Sequence, residues 1–128
     1  MKKLTLLACL LITAVSSSVY AESKYDTEYG KCTDAAGTMN NGVMASCSEA
    51  VSDIAKKDIN TYYKKVETSL NEREDKAELL AKLETSQKAW IQYRNAHCSL
   101  SEMIGAHEVY CLMLVNSQRA EELKSLTE

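Results

Sequence analysis

Ser86-Gln87-Lys88-Ala89-Trp90-Ile91-Gln92-Tyr93-Arg94-Asn95-Ala96-His97-Cys98 is the stretch that decides the fold. It holds the only Trp of a chain without Phe, and so the largest apolar side chain available to a core. Taken together with the residues before it, Leu80, Leu83, Gln87, Trp90 and Arg94 follow one another at steps of three or four. That spacing puts all five on one stripe of a helix. Two long polar side chains therefore flank a Trp on the face expected to be buried. A buried polar group without a hydrogen bond costs about 1–3 kcal/mol, so other parts of the chain must supply partners for Gln87 and Arg94.

Outward from this stretch the same periodicity continues. Upstream, Met44, Cys47, Val51, Ile54, Ile59, Tyr62, Val66 and Leu70 keep a helical spacing, and Asn40 or Asn41 can cap its start. No Pro occurs anywhere, and no Gly between Gly42 and Gly105, which favours long uninterrupted helices over a turn-rich β fold. A helix from Asn41 to about Leu70 would run roughly 45 Å at ~1.5 Å per residue. Asn71 to Asp75 forms a polar turn, with Asp75 placed to cap a second helix from Lys76 to about Leu100. Ser101 to Ala106 makes the next turn. A third helix from about His107 to Leu126 brings Val109, Leu112, Met113, Arg119, Leu123 and Leu126 near one face. Glu22 to Thr38 is polar, carries Gly30 and Gly37, and reads as an irregular arm tied down at Cys32. The expected fold is all-α, a three-helix antiparallel bundle with two long helices, a shorter third helix and two disulfides.

The first residues read differently. Lys2 and Lys3 precede an apolar run from Leu4 to Val15, and Val-Tyr-Ala ends at Ala21 as a small-residue cleavage pattern. Residues 1–21 are read as a secretory signal and 22–128 as one domain. The apolar run is shorter than the roughly 20 residues a membrane span needs, so no membrane anchor is expected after cleavage. Leu6-Leu7-Ala8-Cys9 has the look of a lipoprotein box but leaves too little apolar sequence after Lys3. With Lys2 and Lys3 removed, 13 of the 15 Lys and Arg remain against 18 Asp and Glu, a net charge of −5. Such a balance disfavours nucleic acid and suits a basic protein partner.

Cysteine usage points to the same compartment. Cys9 would leave with the signal, and Cys32, Cys47, Cys98 and Cys111 remain, an even set that reads as two disulfides in the periplasm or outside the cell. If the turn is centred near Glu72, residues whose numbers sum to about 145 stand level on the first two helices. Cys47 then faces Cys98, and Asn60 comes near the height of Gln87, so that their amides could pair. Cys98 and Cys111 are level across the second turn. Cys32–Cys47 with Cys98–Cys111 closes the shortest loops and is slightly preferred; Cys47–Cys98 with Cys32–Cys111 stays open.

The pattern Met44-x-x-Cys47, Ile59-Asn60-x-x-Tyr63, Gln87-x-x-Trp90-Ile91-x-Tyr93-Arg94-x-x-x-Cys98, Cys111 and Arg119-x-x-x-Leu123 resembles the LprI-like lysozyme-inhibitor family, specifically its N-terminal domain. The resemblance implies an exported helical domain with two disulfides and, in at least one branch, binding and inhibition of lysozyme. Relatives also look like immunity proteins that protect a bacterium from wall-degrading toxins. The chain departs from the family pattern at Lys56, where relatives usually carry an Asp that could pair with one of the arginines.

Trp90, Tyr93 and Arg94 are residue types that dominate binding hot spots, but the spacing with Leu80 and Leu83 points them inward. Asn60, Tyr63, Gln87, Trp90, Arg94 and Arg119 are therefore expected to be structural, with Arg119 needing an acceptor such as Asp58, Asn60 or a backbone carbonyl. His97, Cys98, His107 and Cys111 could in principle hold zinc; in an exported chain the disulfide reading prevails, and neither metal nor cofactor is expected. No nucleophile elbow, phosphate loop or His-Glu-x-x-His is present, and no catalytic residue is assigned. Partner contacts are expected from Ser101, Glu102, Met103 and His107 in the second turn, and from Glu72 and Glu74 in the acidic turn, which could steer a basic enzyme. The function expected is that of a periplasmic or secreted binding protein blocking a lysozyme or other peptidoglycan-degrading enzyme. The alternatives are an immunity protein against a wall-targeting toxin, or an envelope structural or stress protein with no enzyme partner.

Overall fold

In a computed structural model, residues 22–128 form four helices: α1 (Lys24–Ala36), α2 (Asn41–Asn71), α3 (Lys76–Met103) and α4 (Glu108–Ser125). The signal expected over residues 1–21 lies outside the described residues. The all-α expectation stands, and so do the two long helices. The count of three does not, because the supposed irregular arm is α1.

Local chemistry explains that helix. The Ser23 side chain accepts from the Asp26 N–H while the Asp26 carboxylate accepts from the Ser23 N–H, a reciprocal cap that satisfies two otherwise free donors. At the other end Gly37 takes a left-handed conformation (φ 68°) and its N–H bonds back to the Asp34 carbonyl, the ordinary glycine stop of a helix. Gly30 sits inside α1 at some cost in propensity. Tyr25 offsets it by burying all but 3 % of its surface in the core, with Tyr29 one turn on packed against that core. Asn40 caps α2 as expected, its side chain accepting from the Val43 N–H. Asp75 stands at the N-cap of α3 without a side-chain hydrogen bond to it. Instead its carboxylate takes both Nε and Nη2 of Arg73.

Packing departs from simple hairpin geometry. The most extensive helix contact is between α2 and α4. Ala55 of α2 and Ala120 of α4 have no exposed surface and belong to the same buried cluster. Val51, Ile59 and Val66 from α2, with Met113 and Leu123 from α4, fill out the core around them. α3 contributes only Leu83 and Cys98 as buried residues, with Trp90 partly buried against the core. Because α2 turns its inward stripe to α4 and not to α3, Asn60 is exposed. The expected Asn60–Gln87 amide pair does not form.

The disulfides are Cys32–Cys47 and Cys98–Cys111, with Cα separations of 5.6 and 5.4 Å. This is the local pairing; the alternative that ties Cys47 to Cys98 is excluded. One bridge joins α1 to α2 and the other α3 to α4. Both lie beside turns at the same end of the bundle, as the gathering of cysteines predicted. Among the described residues, no helix is long and apolar enough to cross a membrane.

Candidate functional site

The polar residues around Trp90 find their partners on α4. Arg119, only 8 % exposed, donates from Nε and Nη2 to Gln87 Oε1 (3.1 and 3.0 Å), from Nη2 to Ser86 Oγ (3.2 Å) and from Nη1 to Glu122 Oε2 (3.1 Å). Neither Asp58 nor Asn60 serves it. Asp58 instead accepts from Lys24 Nζ at 2.6 Å and from the Tyr25 hydroxyl at 2.8 Å, joining α1 to α2. Arg94 bonds to Asn95 Oδ1 and, at 3.5 Å, to Asn116 Oδ1. Asn116 is almost fully buried and donates to Ser52 Oγ at 2.8 Å. Both guanidinium groups lie over the Trp90 ring, at 5.1 Å for Arg94 and 5.8 Å for Arg119, within reach of its negative π face.

Gln87, Trp90, Arg94 and Arg119 thus form one cross-helix network, with Tyr63 packed against the same core. Its hydrogen bonds from Arg119 to Gln87 and Ser86, and from Arg94 to Asn116, tie α3 to α4. Lys56 makes an exposed ion pair with Asp53 at 2.9 Å. With Lys at that position, the partners of Arg94 are amide oxygens and no carboxylate. Asn116 and Ser52 are the members that sequence reasoning missed. Their helical offsets point inward, but short polar side chains in a helix give no distinct signal.

The α3–α4 turn has the opposite character. Ser101 is half-buried, whereas Glu102, Met103, Ile104 and His107 are exposed, Met103 by 80 % and Ile104 by 76 %. Gly105 holds φ at 91°, a conformation open to glycine and strained for other residues. His107 begins α4 without a side-chain cap bond. The Cys98–Cys111 bridge closes the base of the turn, so its apolar tip stands on a fixed stem.

Beside that stem, between α3 and α4, lies an open cavity of about 310 Å³ bordered by Tyr93, His97, His107, Tyr110 and Leu114. Tyr93 stacks on His97 with centroids 5.1 Å apart, and Tyr110 meets Tyr29 of α1 edge-on at 5.9 Å. Tyr93 thus faces outward, away from the network of its neighbours Trp90 and Arg94. Among the described residues, no group of three or more His, Cys, Asp or Glu could hold a metal ion.

The other expected contact, the α2–α3 turn, is wholly polar. Glu72 and Glu74 are exposed and make no ion pair there, while Arg73 is committed to Asp75. The fold therefore separates the two groups of expected contact residues, with the apolar turn at the disulfide end and the acidic turn at the far end.

The chain has no match among curated proteins or among solved structures. A model of the family described as lysozyme inhibitor LprI matches residues 32–123, from the first cysteine of the disulfide set to Leu123 in the core. Covering most of the chain, including the Trp90 network and both disulfides, that match shows that this protein belongs to the LprI lysozyme inhibitor family.

Proposed function

We propose that this protein is an exported inhibitor, acting in the periplasm or outside the cell, that binds a lysozyme or related peptidoglycan-degrading enzyme and blocks it by contact. The observation that carries this reading is the family match over residues 32–123. The architecture supports it in physical terms. A binder held rigid by two disulfides and a satisfied polar network loses little conformational entropy on docking, and inhibition by occlusion asks for such rigidity and no chemistry. The pattern of residues 1–21 and the paired cysteines support export.

The test is titration of the oxidised protein, residues 22–128, into a lysozyme acting on peptidoglycan. Dose-dependent loss of hydrolysis with saturable binding is the expected result. Unchanged hydrolysis at large molar excess removes lysozyme as the target.

A further inference from the structure

The charges of residues 22–128 are spread unevenly. From Cys32 to Ala55 and from Asn95 to Gln118 there is no Lys or Arg, but Asp34, Glu49, Asp53, Glu102 and Glu108 stand there. The rest of residues 22–128 holds all 13 Lys and Arg against 13 of the 18 acids, an even balance. The whole excess of −5 therefore belongs to two segments, and the fold brings both to the end of the bundle where the two disulfides lie. Asp53 is paired with Lys56; the other four acids make no ion pair among the described residues.

The same end carries much of the exposed apolar surface. Met39 in the α1–α2 turn is 60 % exposed, and Leu100, Met103 and Ile104 at the α3–α4 turn are 56, 80 and 76 % exposed. At the opposite end the α2–α3 turn carries no such residue, and Leu126 at the close of α4 is the one large apolar side chain exposed there among the described residues, at 62 %. Large apolar side chains gathered at one exposed place mark an interaction surface more often than an accident of folding.

We propose that the disulfide-tied end is the docking surface, and that its partner is a cationic protein with an apolar concavity into which Leu100, Met103 and Ile104 insert. Asp34, Glu49, Glu102 and Glu108 rim the contact and draw the partner in. The division of labour follows from physics: desolvated apolar anchors set the dissociation rate, while rim charges set the association rate and its dependence on salt. The Cys98–Cys111 bridge holds the anchors in place before contact. This assignment rests on the hydrolase-inhibitor reading, which names the partner class, and it excludes the acidic α2–α3 turn as the contact.

The test measures binding of oxidised residues 22–128 to an immobilised cationic lysozyme, with circular dichroism verifying each variant's fold. The exposed double variant M103S/I104S is expected to raise the dissociation rate about tenfold or more. E102Q/E108Q should slow association severalfold at low salt and have no effect at high salt. E72Q/E74Q should leave both rates unchanged. If the wild type binds and M103S/I104S binds equally well, or if E72Q/E74Q is the variant that weakens binding, the surface assignment is overturned and the inhibitor reading survives. If the wild type itself does not bind, lysozyme is removed as the target and the surface assignment falls with it.

Discussion

Arg119 shows what a buried charge demands of its surroundings. Its guanidinium is covered by Trp90 and spends its donors on Gln87, Ser86 and Glu122. Arg119→Ala would strand the Gln87 carbonyl and open space beside the indole, so a loss of about 2–4 kcal/mol is expected in urea unfolding. Arg119→Met keeps the stem and should recover part of that loss. The Tyr25–Asp58–Lys24 cluster makes a second, pH-dependent case. Burial first, and then the hydrogen bond to Asp58, pushes the Tyr25 phenol well above its ordinary range. The Asp58 hydrogen bond also raises Lys24. Both groups hold their protons more tightly when folded, so their contribution is full below the ordinary value of about 10. It declines as pH rises past that value, because the unfolded chain releases the protons first. The thermal midpoint should therefore fall above pH ~10, and Tyr25→Phe should make that fall shallower. An unchanged slope in the variant would remove Tyr25 as a source.

At the scale of elements, α1 runs through a segment whose polarity and two glycines argue for an irregular arm. Gly37 is the stop signal of the helix, while Gly30 is simply tolerated inside it. The informative pattern was Ser23 with Asp26 three residues on, read together with Tyr25 and Tyr29 at helical spacing. Gly37 is also a clean place to test the element. A Cβ built there would meet nothing within 4 Å, so any cost of Gly37→Ala comes from the left-handed backbone alone. About 1 kcal/mol of destabilisation is expected, measurable as a lowered urea midpoint at constant slope. No change would mean that the α1 stop can rearrange freely.

The whole molecule explains why the core stripe could be read in the sequence and its partners could not. Helical periodicity shows which residues of Leu80 to Arg94 turn inward, but it does not say which helix meets them. The hairpin count takes α2 to face α3. In fact α2 packs most extensively against α4, and Gln87 pairs with Arg119 in place of Asn60. Fully buried alanines such as Ala55 and Ala120 add little to a hydrophobic pattern, so the α2–α4 contact leaves a weak mark in the sequence. The same asymmetry sets the dynamics. α3 buries little beyond Leu83 and Cys98, and it is held mainly by the Arg119 and Arg94 bonds and by the Cys98–Cys111 bridge. Helices with few buried apolar contacts open at lower free energy than the global transition. Amides of α3 from Leu80 to Arg94 should therefore exchange with solvent faster than those of Val51–Val66 in α2 and Met113–Leu123 in α4. Replacing Cys98 and Cys111 together by Ala frees a loop whose ends are 13 residues apart, at a cost of about 3 kcal/mol. That change should speed exchange in α3 more than in α2. Equal protection of α3 and α2 in the oxidised protein would show that the α2–α4 pair is not the stable centre on which the rest of the bundle is hung.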